Sequence, residues 1–286
     1  MIETDIRELN ERIQRESQFI DLINLEMSKV IVGQKHMTER LLIGLLSNGH
    51  ILLEGVPGLA KTLAIKTLSS IIDADFSRIQ FTPDLLPADL IGTMIYSQKN
   101  EEFIVRKGPV FANFVLADEI NRSPAKVQSA LLEAMQEHQV TIGESTFSLP
   151  DPFLVMATQN PIGSVGTQAL PESQLDRFML KLSMGYPDIT SEVEILKVKS
   201  NYNPLEYISS IADSEDIIAL QKVVENIHVD DKIYMYVARL AEATRNHPMI
   251  KLGISTRGAL ALMAVSKATA LLKGRSYVIP DDIAYM

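Results

Sequence analysis

Lys61 and Thr62 close a glycine-bearing turn, Gly55-Val56-Pro57-Gly58-Leu59-Ala60, that begins where the apolar run Ile51-Leu52-Leu53-Glu54 ends. Leu63-Ala64-Ile65-Lys66 then continues in a helical pattern. A strand, a glycine turn and a helix start, in that order, make a cradle for phosphate. Backbone N–H groups and the helix N-terminus face the anion, the ammonium reaches the outer phosphates, and the threonine hydroxyl ligates Mg²⁺. On this reading Gly55, Val56, Pro57, Gly58, Leu59, Ala60, Lys61, Thr62 and Leu63 hold ATP, with Thr62 on the metal. The usual pattern has glycine before the lysine. Ala60 stands there, so the loop must take an ordinary backbone angle at that point. A Gly/Pro turn between a strand and a helix shares this composition, and a second element is needed to separate the two.

Phe114-Val115-Leu116-Ala117 supplies it, because this apolar run ends in Asp118-Glu119. In a parallel sheet a carboxylate at a strand's C-terminal end lies beside such a loop. Asp118 can hold Mg²⁺ through its water shell, and Glu119 can orient and deprotonate the attacking water. Acids also end strands at the surface, so the pair gains its meaning from following a phosphate loop. Other chemistries find no support. The 5 histidines show no ligand spacing, no serine sits in a Gly-x-Ser-x-Gly elbow, and Asp230-Asp231 reads as a solvated helix cap.

The elements that must position these residues are legible as apolar runs. Ile51–Glu54, Phe76–Phe81, Phe114–Ala117, Phe153–Ala157 and Phe178–Ser183 read as buried strands separated by helical stretches, which predicts an α/β domain with a largely parallel sheet. Beyond Tyr186-Pro187-Asp188 the periodicity is helical, around Val193–Val198, Ile217–Val224, Ile233–Ala243 and Thr256–Leu272. The expected organisation is therefore a P-loop NTPase α/β domain over 1–188, with an N-terminal helix, and a small all-helical lid over 189–286. Ile6, Leu9, Ile13, Ile20, Ile23, Met27 and Val30 form an apolar stripe in that first helix. It is read as a helix packed on its own domain, with a partner-binding coiled coil as the alternative. Thr93–Lys107 and Val140–Leu149 read as hairpins turning at Lys99-Asn100-Glu101 and Gly143-Glu144. The chain ends inside Pro280–Met286, which reads as a helix start, so a shortened final lid helix is expected.

A chain of 286 residues, 46% of them hydrophobic, can bury a full core. Its net charge of −9 argues against a protein that grips nucleic-acid phosphates non-specifically. With no cysteine, disulfides and thiolate metal sites are excluded. Neither a signal peptide nor an apolar run of membrane-spanning length is visible. A cytoplasmic protein is expected.

Five motifs in order resemble those of AAA+ ATPases: Val32-Gly33-Gln34, Gly55–Thr62, Ala117-Asp118-Glu119-Ile120-Asn121-Arg122, Ala157-Thr158-Gln159-Asn160-Pro161 and Leu175-Asp176-Arg177-Phe178. Within them, Gly55–Thr62, Gln128-Ser129-Ala130-Leu131-Leu132-Glu133-Ala134-Met135 and Leu170-Pro171-Glu172 resemble the MoxR family, in which alanine before the lysine is normal. The resemblance implies further roles. Asn160 stands at the sensor 1 position, where its amide would bond the attacking water or the γ-phosphate. Arg177 resembles the arginine finger that reaches a neighbouring subunit's γ-phosphate, with a salt bridge to Asp176 or Glu172 as the plainer reading. Arg122 and Arg106 compete for the same role. Arg257 resembles sensor 2, a lid arginine that contacts bound ATP, although Thr256 replaces the proline usual before it. Val32 and Gln34 would line the adenine pocket. The two hairpins match the insertions in helix 2 and before sensor 1, and such loops act on partner proteins in related motors.

The family implies a ring, as a hexamer, with active sites at subunit interfaces. It also implies remodelling of a partner protein or insertion of a cofactor or metal into it, and a partner carrying a von Willebrand factor A domain. Two other classes stay open: a nucleotide-gated scaffold with negligible turnover, and a DNA-associated motor.

Overall fold

The computed structural model describes residues 2–55, 61–99, 101–159, 169–201 and 204–286. The chain opens with two helices, α1 (Ile2–Val30) and α2 (Lys35–Leu46), and then enters the sheet with β1 (Ile51–Gly55). Next come α3 (Lys61–Ile71), β2 (Phe76–Gln80), α4 (Pro87–Ile91) and a hairpin of β3 (Gly92–Ser97) and β4 (Glu102–Lys107). β5 (Phe114–Asp118) leads through a 3₁₀ turn at Ile120–Arg122 into α5 (Ala125–Glu137), followed by a second hairpin, β6 (Gln139–Ile142) and β7 (Ser145–Ser148). β8 (Leu154–Gln159), α6 (Glu172–Leu175) and β9 (Leu180–Met184) complete this half. The remainder is helical: α7 (Ile189–Asn201), a 3₁₀ turn at Pro204–Tyr207, α8 (Ser214–Glu225), α9 (Asp231–Asn246), α10 (Thr256–Leu272) and α11 (Pro280–Tyr285).

All five predicted strands form one sheet in the order β2-β5-β8-β1-β9, and each pairing is parallel. Apolar side chains alternate between its two faces, as the period of two requires. Ile51, Leu53, Phe114, Leu116, Leu154 and Met156 face a core built with α1, α2, α3, α8 and α10. Leu52, Val115, Ala117, Val155 and Ala157 face a second core with α5. Burial on both faces explains why these strands read as unbroken apolar runs.

The first core continues past the sheet. Ile13, Ile20, Ile23, Met27 and Val30 of α1 are buried in the same cluster as Ile217 and Leu220 of α8 and Val265 and Ala268 of α10. From Ile13 to Val30 the apolar stripe of α1 is therefore packed within the chain, as the reading of a helix on its own domain expects. The same cluster fixes where α10 begins, and hence where Arg257 stands. Both hairpins form as expected, pairing Gly92–Ser97 with Glu102–Lys107 and Gln139–Ile142 with Ser145–Ser148.

Candidate functional site

The C-terminal ends of β1, β5 and β8 lie side by side at one edge of the sheet. Lys61, at the start of α3, donates from Nζ to the Gly55 carbonyl at 2.7 Å. Half-burial lowers the Lys61 pKa, and the negative charges of Asp118 and Glu119 act against that shift. The ammonium is thus held in the field of both acids that the sequence singles out. Thr62 and Leu63 follow in the first turn of α3, where Leu63 packs on the core. Val56, Pro57, Gly58, Leu59 and Ala60, the heart of the predicted phosphate loop, lie outside the described residues, as does Asn160.

Asp118 ends β5 and is held from two sides. Thr158 Oγ1 donates to Asp118 Oδ1 at 2.7 Å, and Arg78 Nη2 lies 2.6 Å from Oδ2. The next residue, Glu119, takes left-handed backbone angles of φ 57° and ψ 48°. A non-glycine residue in that region carries strain that surrounding contacts must hold. Here the Glu119 N–H donates to Thr158 Oγ1 at 2.8 Å, and its Oε2 accepts from Arg122 Nη1 at 2.8 Å and Gln80 Nε2 at 3.1 Å. The left-handed turn swings the Glu119 side chain off the strand direction while Asp118 keeps it. Two adjacent carboxylates can then serve two purposes.

No local signal in the sequence marks Thr158, Arg78 or Gln80 as site residues. Thr158 reaches the acids because β8 pairs with β5, and Arg78 and Gln80 because β2 pairs with β5, setting Gln80 opposite Asp118. Arg122, one of the candidate fingers, is engaged with Glu119 of its own chain. Arg106 lies on β4 opposite Thr93.

A cleft of about 320 Å³ opens beside the end of β9, lined by Gly33, Gln34, Met37, Leu182, Tyr186 and Pro187 among others. Its size falls in the range of small-molecule sites. Gly33 has φ 73°, and a Cβ there would sit 2.4 Å from Ser191 Cβ, so only glycine allows α7 to approach so closely. Asp188 Oδ1 accepts from the Ser191 N–H at 2.7 Å at the start of α7, and this bond holds its carboxyl below the usual range. Gln34 lines this cleft beside Tyr186 and Pro187. Val32 is the half-buried residue leading into that turn.

Arg177 and Arg257 are found at the other edge. Arg177 precedes β9, and its Nη1 donates to the Leu132 carbonyl at 3.3 Å and to Gln136 Oε1 on α5. Among the described residues it makes no ion pair with Asp176 or Glu172. Asp176 turns instead to the lid, where its Oδ1 accepts from Ser255 Oγ at 2.7 Å and its Oδ2 lies 3.6 Å from Arg257 Nη1. Ser255 also caps α10, accepting from the Gly258 N–H at 2.9 Å, which replaces the stiffness a proline before Arg257 would give.

Arg257 does not share an edge of the sheet with its own chain's Gly55 and Lys61. Arg177 and Arg257 share a cleft of about 530 Å³ with Asn48, His50, Met179 and Leu180, at the N-terminal ends of β1 and β9. Gly55 and Lys61 are at the C-terminal end of β1, one strand length away, roughly 15 Å. The apolar packing of α10 on α1 and α2 sets this arrangement, and no local sequence signal encodes it.

Residues 50–180 match the sequence model of the ATPase family associated with various cellular activities (AAA), and residues 242–286 match the AAA lid domain. The chain is 50% identical over 267 residues to the chaperone MoxR1 of Mycobacterium tuberculosis, spanning 90% of this chain and 70% of that one. It is 50% identical over 260 residues to the uncharacterized protein YeaC of Bacillus subtilis, spanning 91% and 81%. A crystal structure from Cytophaga hutchinsonii, provisionally described as an ATPase, superimposes with a TM-score of 0.90 at 49% identity, covering 100% of this chain and 88% of that one.

Proposed function

The chain belongs to the MoxR family of AAA+ ATPases, and on that footing we propose that it binds ATP with Mg²⁺ and hydrolyses it at sites completed by a neighbouring copy in a ring. One observation carries the reading. Lys61, Asp118 and Glu119 converge at one edge of the sheet, while Arg177 and Arg257 lie together at the opposite edge. A head-to-tail arrangement of copies sets one chain's acid edge against the next chain's arginine edge, and such heterologous contacts form a ring when the rotation between copies closes. On this reading Arg257 serves a neighbour's ATP together with Arg177.

The residues fit the metal implied by the family. Thr62 offers a hydroxyl and Asp118 a carboxylate, the hard oxygen donors that Mg²⁺ prefers, with Lys61 close enough to feel both acids. Bound Mg²⁺ would neutralise charge on the β- and γ-phosphates during transfer. Lys61 holds the outer phosphates in place. Thr158 keeps Asp118 aimed at the metal position and steadies the Glu119 backbone. Glu119 takes the proton of the attacking water, and Gln80 and Arg122 set the direction of its carboxylate. Arg177 of the adjacent chain offsets charge developing on the transferring phosphoryl group, an effect of about 10³–10⁵ in rate. Asn160 is assigned to the water or γ-phosphate on the family pattern alone.

We further read the protein as a remodelling factor located in the cytoplasm. No helix among the described residues is long and apolar enough to cross a membrane. The β3–β4 hairpin exposes Met94, Ile95, Tyr96, Phe103 and Ile104, an apolar surface suited to a polypeptide. A partner with a von Willebrand factor A domain and a hexameric ring follow the family pattern. Capture with Glu119→Gln in ATP would identify the partner.

The composite site is tested by mixing two inactive variants. Arg177→Ala retains a complete pocket, and Lys61→Ala retains a usable finger. Equal random mixing completes about one interface in four, visible above a background lowered about 10³-fold or more. Recovery of turnover supports the composite site. Mixed oligomers that form, as shown by co-purification of differently tagged chains, yet stay inactive contradict it.

A further inference from the structure

The run Gln128–Met135 lies on α5, and the chemistry above leaves it without a task. Its first residue is buried and bonded. Gln128 Nε2 donates to the carbonyls of Ile120 and Ser123 at 3.1 Å each, and both belong to the turn that follows Glu119. The middle of the helix is fixed by Val127, Leu131, Leu132, Ala134 and Met135, all buried in the second core. At its far end the Met135 carbonyl accepts from His50 Nε2 at 3.0 Å. That nitrogen carries the proton, since His50 Nδ1 accepts from the Val155 N–H at 3.0 Å. A rod of 13 residues is thus bonded at both ends.

Arg177 docks on the last turns of this rod. The Leu132 carbonyl and Gln136 Oε1, four residues apart on one side of the helix, both accept from its Nη1. The C-terminal end of a helix carries partial negative charge, which favours a cation there. Glu133 and Glu137 line the same recess, yet Arg177 bonds the amide and the carbonyl. A neutral acceptor orients a guanidinium and leaves its full charge for an anion. An ion pair would partly neutralise it.

We propose that Gln136 is a positioning residue for Arg177, and that α5 ties the arginine a chain presents to its neighbour to the end of the strand carrying its own Asp118 and Glu119. The proposal rests on the reading of Arg177 as an arginine finger. The state of one site would then bear on the next site around the ring through a single helix.

Gln136 is exposed, so Gln136→Leu removes the acceptor without disturbing the core. The expected result is a fall in kcat of about tenfold to hundredfold, the cost of a catalytic group misplaced by around an ångström. KM for ATP should hold, because this end of α5 lies by His50, at the end of β1 opposite its own chain's Gly55 and Lys61. Equal mixing with Lys61→Ala, under conditions where subunits exchange, should restore turnover, since Lys61→Ala chains present a correctly held Arg177 to intact Gln136→Leu pockets. A merely structural defect in the variant's own pocket would not be restored. Wild-type kcat in Gln136→Leu overturns the proposal, and so does a loss that Lys61→Ala fails to restore while it does restore Arg177→Ala. If neither is restored, the finger reading itself falls, and the positioning role falls with it.

Discussion

Thr158 Oγ1 donates to Asp118 Oδ1 at 2.7 Å and accepts the Glu119 N–H at 2.8 Å, so one hydroxyl on β8 fixes both acids at the end of β5. Glu119 sits in left-handed geometry, and this bond is one of the contacts that hold it there. Thr158→Val keeps the shape and removes the hydroxyl. A lost bond of this kind is worth about 1–1.5 kcal/mol, or roughly tenfold in rate if it is felt at the transition state. We expect kcat to drop by about that factor while Thr158→Ser stays near wild type. Equal turnover in Thr158→Val and wild type would deny the hydroxyl its role.

Lys61→Ala removes the cation nearest the outer phosphates and should abolish or greatly weaken ATP binding, measured by calorimetry. Glu119→Gln leaves Lys61, Thr62 and Asp118 in place. It should bind ATP with near wild-type affinity and hydrolyse it poorly. Normal binding and turnover in both variants would show that the site has been misassigned.

How much of this was legible without the fold depends on the range of the interaction. Each strand announces itself because it is buried on both faces, and the turn chemistry at Gly143-Glu144 is local. Strand order is not local. Nothing near Gln80 signals that it will lie opposite Asp118, which follows only from β2 pairing with β5. Arg257 teaches the same lesson at larger scale. Its motif is readable, but its edge of the sheet is set by α10 burying Val265 and Ala268 in a core shared with α1 and α2. Val56–Ala60 and Asn160 rest on the sequence pattern alone.

Ser255→Ala should cost about 0.5–2 kcal/mol of stability, because it removes the N-cap of α10. It also breaks the bond to Asp176, so the lid's hold on the segment before β9 weakens. Denaturant unfolding of wild type and variant would read the difference. An unchanged midpoint would mean that the Ser255–Asp176 contact carries no stability.

Burial lowers the His50 pKa from 6.5 to about 4, with the nearby His138 adding to the shift and the bond to Met135 opposing it. The unfolded chain takes up this proton near the ordinary value, while the folded chain refuses it until about pH 4. Stability from neutral His50 is thus present above pH 6.5 and declines as the pH falls from 6.5 towards 4. The slope approaches about 1.4 kcal/mol per unit, for a loss of up to roughly 3 kcal/mol. In His50→Gln this contribution should vanish from the pH dependence of unfolding. Parallel curves for the two proteins over that window would contradict the burial argument.

The central claim, hydrolysis of ATP at sites that need two copies of the chain, is tested most directly by phosphate release per chain as a function of protein concentration. The measurement uses saturating Mg²⁺ and ATP, with particle mass followed in parallel by light scattering. The account predicts turnover per chain that rises with concentration in step with assembly, and near-background release from Glu119→Gln throughout. Turnover per chain that is already maximal where the protein is monomeric would contradict it, as would assembled wild-type protein no more active than Glu119→Gln.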